Sequence, residues 1–359
     1  MQQALALAAR GLGRTAPNPP VGAVVVRAGE VAGRGWHHAA GRPHAEVEAL
    51  HDAGERARGG TIYVTLEPCS HYGRTPPCTA ALIAAGVSRV VYAVKDCDPR
   101  TAGQADDILR QVGIEVTCGL LETEGQRLLE AYCKHKRTAL PFVTLKMALT
   151  LDGHAATREY DSHWITGEPA RRRVHRMRDQ ADAVLVGSGT IRSDDPLLTT
   201  RLVAAGEGRQ PLRVVVAVEG ISPEAQLLRQ PGATLIAVSE KADAQRLRPL
   251  EDKGAQIVRL PEREGRIDLP ALLEELGRRD LMSVLVEGGP TLAGSLLSQG
   301  LVDKLVFFYA PKVLGDERAV PGVRGRVALR MSDALEYELR ESEQIGSDLV
   351  VTLYPCSPG

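Results

Sequence analysis

The residues best suited to chemistry in the first half of the chain form three short groups, His44-Ala45-Glu46, Glu67-Pro68-Cys69 and Pro77-Cys78. One histidine and two cysteines give Zn²⁺ three protein ligands and leave the fourth tetrahedral position to water. An ion held this way lowers the pKa of that water toward neutrality. Glu46, beside the ligands but not one of them, is suited to take the water's proton and hand it to a leaving amine.

Local elements must bring these groups together. A helix is expected from about Pro43 to Ala57, a strand at Thr61–Thr65, and a second helix from Pro76-Pro77 to Gly86. On the first helix Glu46, Ala49, Leu50 and Ala53 fall on one apolar stripe, so a carboxylate points inward, where it needs a partner or a task. Cys69 follows a strand end and Cys78 opens a helix, where the local dipole favours a thiolate. Taken alone, Cys78 would read as core, since it shares a stripe with Ala81, Leu82 and Ala85. A purely structural zinc would need a fourth ligand, for which His71, His37 or Cys97 are available, but it leaves Glu46 unexplained. His-x-Glu followed by Pro-Cys is the signature order of zinc deaminases, although that signature closes as P-C-x-x-C. Here eight residues, SHYGRTPP, separate the two cysteines.

The second half carries two glycine turns after strand patterns, Gly187-Ser188-Gly189-Thr190 and Glu287-Gly288-Gly289-Pro290-Thr291. Such turns let backbone N–H groups approach a phosphate, or simply allow tight packing of helix on strand. The helix read over Arg171–Ala181, taken from Pro169, buries Ala170, Val174, Met177 and Ala181 and turns Arg171, His175 and Arg178 to another face. That face reads as solvated, with one or two cations available to a ribosyl phosphate.

Further strands are expected at Val21–Val26, Val87–Val94 and Ile114–Cys118. After Pro141 they recur at residues 141–150, Ala183–Val186, Leu212–Val218, Thr234–Val238, Ser283–Val286 and Lys304–Tyr309, with a helix at Leu269–Gly277. The alternation predicts two α/β domains, residues 1–140 and 141–359, with the polar segment Lys134–Thr138 as linker. Lys plus Arg number 44 against 45 Asp plus Glu, and aromatics are only 4% of the 359 residues. No basic field or basic–aromatic cluster is available for nucleic acid. No apolar run nears the roughly 20 residues of a membrane span, and MQQALALAAR reads as an amphipathic helix and not as a signal peptide. The six cysteines read as thiols or metal ligands of a cytoplasmic chain rather than as bridges.

TAPNPPVGAVVV (15–26), HAE (44–46) and EPCSHYGRTPPC (67–78) resemble the deaminase half of the bifunctional riboflavin-biosynthesis RibD family, also called RibG, which shares the long loop between the cysteines. Asp96-Cys97-Asp98-Pro99 is a local difference, since members more often lack that cysteine. In the second half KMALTLDG (146–153), SHWIT (162–166), VGSGT (186–190), DDP (194–196), EGGPTL (287–292) and APK (310–312) are similar to the reductase half. The resemblance implies an α/β chain in which a cytidine-deaminase-like three-layer αβα domain precedes a dihydrofolate-reductase-like α/β domain. It implies His44, Cys69 and Cys78 as zinc ligands, Glu46 as proton shuttle and Asn18 as a pyrimidine contact. It implies NADPH contacts at Ala148, Trp164, Thr190, Asp194 and Gly289, and substrate contacts at Ser162, Arg178, Leu198, Arg201 and Glu287. Lys146 is then a catalytic candidate beside the hydride-transfer site.

The implied activity is hydrolytic deamination of a diaminopyrimidinone ribosyl phosphate, followed by NADPH-dependent reduction of the ribosyl to the ribityl side chain. Its partners would be small-molecule pyrimidine ribosyl phosphates, without nucleic acid or membrane, in a homodimer or higher homo-oligomer. One departure is Val216-Ala217-Val218, where members often carry Asp followed by a hydroxyl residue that contacts the cofactor; weaker NADPH binding is the expected result. Two rival readings are a tRNA or nucleobase zinc deaminase with an accessory domain, and a non-enzymatic zinc-stabilised interaction module. The first predicts salt-sensitive tRNA retention, and the second needs four protein ligands and binds no NADPH.

Overall fold

A computed structural model describes residues 1–72, 76–98, 102–202, 208–325 and 328–356. Gly73–Thr75 of the loop between the cysteines, and Pro99 of the Asp96–Pro99 segment, lie outside the described residues. The chain divides into two compact units, Met1–Leu140 and Pro141–Gly359.

In the first unit α1 (Gln2–Ala8) precedes a hairpin of β1 (Gly22–Arg27) and β2 (Glu30–Trp36). Its turn, Ala28-Gly29, has positive φ at both residues, which matches the twist of a tight antiparallel pair. Then come α2 (Ala45–Ala53), β3 (Thr61–Leu66), α3 (Cys78–Ala85), β4 (Arg89–Val94), α4 (Gln104–Gln111), β5 (Glu115–Cys118) and α5 (Glu122–Thr138). The sheet order is β2-β1-β3-β4-β5, with β3, β4 and β5 parallel.

Helices cover both faces. On one, α1 packs Ala4 and Leu7 against Val24. On the other, α2 rests on β2 where two glycines remove the intervening side chains. A Cβ at Gly35 would lie 2.4 Å from the Ala45 carbonyl oxygen and the Ala49 nitrogen, and one at Gly33 would lie 2.3 Å from the Ala49 carbonyl oxygen. The helix backbone therefore touches the strand backbone.

Two expectations are corrected here. Lys134–Thr138 is no linker but the last turn of α5, whose buried residues Gly125, Leu129 and Tyr132 recur at helical spacing. The polar residues there are the outer face of a helix. The cysteines also include one bridge, since Cys97 after β4 and Cys133 on α5 form a disulfide with Cα atoms 5.3 Å apart. Packing of α5 beside β4 brings together two cysteines 36 residues apart.

Among the described residues the second unit has thirteen strands, nine of them in one sheet. Their chain order is β6 (Phe142–Thr150), β7 (His154–Ala156), α6 (Glu168–Gln180), β8 (Ala183–Gly187), α7 (Ser188–Asp194), β9 (Leu212–Val216), β10 (Thr234–Ser239), α8 (Ala244–Asp252) and β11 (Gln256–Leu260). There follow the short pair β12 (Glu262–Arg263) and β13 (Arg266–Ile267), then α9 (Leu269–Arg278), β14 (Ser283–Val286), α10 (Pro290–Ser298), β15 (Lys304–Ala310), β16 (Val320–Pro321), β17 (Tyr337–Ile345) and β18 (Asp348–Pro355). The main sheet runs β11-β10-β9-β8-β14-β6-β15-β18-β17. From β11 to β15 every pair is parallel, and β18 joins antiparallel.

The strands of this parallel core are close to continuous apolar runs, as burial on both faces requires. Val184, Val186, Val215, Ile236 and Val238 form one core with Leu247 and Leu250 of α8. Ala170 and Val174 of α6 form another with Phe308 and Val350. The face of α6 expected to be solvated is divided: Arg171 is half-exposed, whereas His175 is buried.

Candidate functional site

In the first unit the chemical groups meet at the carboxyl end of β3 and the amino ends of α2 and α3. Cys69 follows β3 across Glu67-Pro68, His44 caps α2, and Cys78 is the first residue of α3. The Cys78 N–H donates to Cys69 Sγ (3.3 Å) and the Thr79 N–H to the Cys69 carbonyl (3.2 Å), locking the two cysteines together. His44 Nδ1 lies 3.2 Å from Cys78 Sγ and 3.6 Å from Cys69 Sγ.

Bonds of about 2.3 Å to sulfur and about 2.0 Å to nitrogen in a tetrahedral site put neighbouring ligand atoms roughly 3.5–3.8 Å apart. The ligand atoms of His44, Cys69 and Cys78 all lie within 4.8 Å of one another, so the set fits one ion. The proposed fourth ligands of a structural zinc are absent from this group. Cys97 is bonded to Cys133, His71 is exposed, and both ring nitrogens of His37 are engaged.

Glu46 is buried on the inner face of α2, and burial with the nearby Cys69 sulfur pushes its carboxyl up to about 7. The Cys69 thiol is pulled down to about 4 by its hydrogen bonds to Cys78 and His44, while the same contact and burial push Cys78 up. Asn18 donates its amide to His37 Nε2 (3.0 Å), and His37 Nδ1–H donates to the Pro43 carbonyl (3.0 Å). That carbonyl can only accept, which fixes the neutral tautomer of His37. The His37 ring stands 5.3 Å from that of His44, so Asn18 is tied into the wall of this site.

Sequence reasoning passed over Glu67. Its buried carboxylate accepts the backbone N–H groups of Asp96 (3.1 Å), Gly103 (2.9 Å) and Ala105 (3.2 Å), pinning the segments after β4 beside Cys69. The available signal was a carboxylate directly at the end of a buried strand.

In the second unit three charged side chains converge from three elements. Glu287, directly after β14, receives Arg178 Nε and Nη2 from α6 in a bidentate pair at 2.5 and 3.0 Å. Lys146 on β6 places Nζ 3.9 Å from the same carboxylate. Burial would raise Glu287, but the two cations outweigh it and hold the carboxyl below its ordinary value. Burial holds the Lys146 ammonium below the usual lysine value, against the pull of Glu287.

Arg178 also donates to the Thr199 carbonyl (3.1 Å), and the Arg201 N–H donates to His175 Nδ1 (3.2 Å). The segment carrying buried Leu198 and exposed Arg201 is thereby strapped to α6. Burial and the positive charges of Arg178 and Arg201 lower His175 to about 4, so it is a neutral acceptor. That inward role of His175 and Arg178 corrects the solvated reading. Its signal was a histidine next to the apolar stripe.

The two glycine turns meet as well. Gly187 ends β8, Gly289 precedes α10, and the Gly289 N–H donates to Thr190 Oγ1 (3.1 Å). A Cβ on Gly189 would meet nothing within 4 Å. Both turns lie at the carboxyl ends of neighbouring parallel strands, where open α/β sheets bind nucleotides. The residues therefore fit a dinucleotide such as NADPH.

Ala148 is half-buried on β6, and Asp194 is exposed at the end of α7. Trp164 is exposed; its ring lies 4.5 Å from the Arg171 guanidinium carbon and its carbonyl accepts Lys312 Nζ (2.6 Å). Ser162 is half-buried on the same loop, where its carbonyl accepts the Ile165 N–H (3.1 Å).

Residues 1–94 match the family model of the cytidine and deoxycytidylate deaminase zinc-binding region, and residues 141–351 match that of the RibD C-terminal domain. The riboflavin biosynthesis protein RibD of Escherichia coli is 41% identical over 98% of this chain and 98% of its own. That of Synechocystis is 43% identical over 99% and 95%. Among solved structures, Acinetobacter baumannii RibD is similar at a TM-score of 0.88, with 37% identity over 99% of this chain and 98% of that one. A Thermotoga maritima diaminohydroxyphosphoribosylaminopyrimidine deaminase and 5-amino-6-(5-phosphoribosylamino)uracil reductase is similar at 0.87, with 35% identity over 99% and 97%. The two units are the cytidine-deaminase-like and dihydrofolate-reductase-like folds that the resemblance implied. With both halves matched in order and nearly every residue aligned, the chain belongs to the RibD family.

Proposed function

We propose that Met1–Leu140 carries the deaminase and Pro141–Gly359 the reductase of a two-step conversion of one pyrimidine ribosyl phosphate. The chain is a bifunctional deaminase and reductase of riboflavin biosynthesis that uses zinc and NADPH. The proposed substrates are those named for the Thermotoga relative: the diaminopyrimidine for the first unit and its deaminated uracil product for the second. The observation that carries this reading is the convergence of His44, Cys69 and Cys78 beside the buried carboxyl of Glu46.

His44, Cys69 and Cys78 would hold the zinc, which supplies Lewis acidity and a water of lowered pKa when bound. Glu46, raised by burial to about 7, is poised to hold a proton from the attacking water and deliver it to the departing amine. Asn18, oriented through His37, would position the pyrimidine. In the second unit NADPH supplies the hydride, and this chain's part is positioning and charge. Arg178, Leu198, Arg201, Ser162 and Glu287 would hold the ribosyl phosphate. Ala148, Trp164, Thr190, Asp194 and Gly289 would hold the cofactor. Lys146, kept close to Glu287, would deliver a proton to the sugar oxygen released on reduction.

Balanced charge supports small-molecule partners over a polyanion such as tRNA. A cytoplasmic homodimer, or a higher homo-oligomer, without nucleic acid or membrane completes the proposal; among the described residues no helix is long and apolar enough to cross a membrane.

The test is Glu46→Gln. Ammonia release from the diaminopyrimidine should cease while one zinc remains bound per chain. NADPH oxidation with the deaminated substrate should continue. Substantial surviving deamination would remove Glu46 from the proton path.

A further inference from the structure

Beyond the Thr190–Gly289 contact, a cavity of about 470 Å³ opens between α7 and the turn that follows β9. Ser188, Arg192 and Asp195 line one wall, and Gly220, Ser222 and Glu224 the other. It continues the row of carboxyl strand ends from β14 and β8 to β9. It starts at Ser188 of the first glycine turn and extends past that turn to the segment after β9.

The charges around this cavity are unequal in what they have left to offer. Glu224 is bound by Lys253 Nζ (3.0 Å) and by Arg229, and Lys253 foremost holds its carboxyl below the ordinary value. Asp195 Oδ1 accepts the Gln226 N–H at 2.9 Å. Arg192, by contrast, has only the Ser188 hydroxyl, 3.3 Å from Nη1, and forms no ion pair among the described residues. Two hydroxyls, Ser188 and Ser222, share the space with it. A guanidinium without a carboxylate, flanked by hydroxyl donors in a recess, suits a phosphate.

We infer that this cavity receives the adenosine end of NADPH and that Arg192, with Ser188 and Ser222, recognises the 2′-phosphate that distinguishes NADPH from NADH. The inference rests on the reductase reading of the second unit. A nearby arginine is the usual means of accepting a 2′-phosphate at the strand ends of an α/β sheet. It also answers the loss of a hydroxyl at Val218, since Arg192 and Ser188 reach the phosphate from the opposite wall, on α7, and Ser222 supplies a hydroxyl on the wall after β9.

The experiment is calorimetric titration of NADPH and NADH into the full-length wild-type protein and Arg192→Leu, with adenosine 2′,5′-bisphosphate and AMP as smaller probes. Arg192 is exposed, and its replacement leaves the core untouched. The expected result is an NADPH Kd raised at least tenfold in the variant with the NADH Kd unchanged. Adenosine 2′,5′-bisphosphate should lose its advantage over AMP. Equal weakening of both dinucleotides would place Arg192 on the shared pyrophosphate and overturn the inference, as would an unchanged ratio. Wild-type protein that binds neither dinucleotide would overturn the reductase reading itself, a result distinct from the other two.

Discussion

Arg178 and Glu287, 109 residues apart in sequence, meet as a bidentate ion pair that closes α6 over the end of β14. With Lys146 the carboxylate serves two cations in a largely dry pocket, so its removal strands both.

Glu287→Ala should therefore do more than lower activity. Leaving buried charge uncompensated costs about 3–5 kcal/mol, which calorimetry would register as a lower transition for the second unit. Zinc-dependent deamination should persist. Adding Arg178→Met should restore part of the lost stability, and a strictly additive double variant would show that the pair is not coupled.

His175 gives the pH dependence a definite sign. Its folded value of about 4 lies below the ordinary 6.5, so the unfolded chain binds the proton more readily between those values. Its contribution to stability is complete above 6.5 and disappears as the pH falls toward 4. Urea unfolding across that range should show a steeper loss for the wild type than for His175→Gln. Glu287 acts at lower pH, below the ordinary carboxylate value.

Gly35→Ala should damage the deaminase from outside its pocket. The new methyl would press on the Ala45 carbonyl and the Ala49 nitrogen at 2.4 Å, so α2 must retreat and carry His44 and Glu46 with it. Overpacking of this kind costs about 1–3 kcal/mol, and a displacement near 1 Å can lower the rate roughly a hundredfold. Deamination should fall with zinc still bound, and reduction should be untouched.

Val218→Ser restores the hydroxyl missing after β9. The Val218 side chain is half-buried while its carbonyl accepts the Ser239 N–H (3.0 Å), so the backbone should hold its place. One added hydrogen bond is worth about 0.5–1.5 kcal/mol, and the Michaelis constant for NADPH should fall several-fold. An unchanged value would mean that Arg192 and its hydroxyl neighbours already meet the need.

The candidate metal group was legible because its three residues stand at the ends of short, strongly patterned elements. His44 begins a helix, Cys69 ends a strand and Cys78 begins a helix. Long-range facts were not legible. Nothing within reach of Arg178 in sequence announces Glu287, and nothing near Cys97 announces Cys133. The Lys134–Thr138 turn was misread because its charges hid the Gly125–Leu129–Tyr132 stripe. The strands β2 and β17 escaped for another reason: β2 is broken by Gly33 and Gly35, and β17 is mostly exposed and polar, so neither shows the apolar signal of a core strand.

The backbone contact between α2 and β2 also bears on how this deaminase can change over generations. Two residues proposed for the reaction centre, His44 and Glu46, belong to a helix seated main chain on main chain at Gly33 and Gly35. Aliphatic residues elsewhere in the unit can be exchanged for others of similar bulk without transmitting much displacement to that helix. The two glycines are thus the positions in this contact least able to vary, because any side chain there meets helix backbone and not a flexible side-chain end.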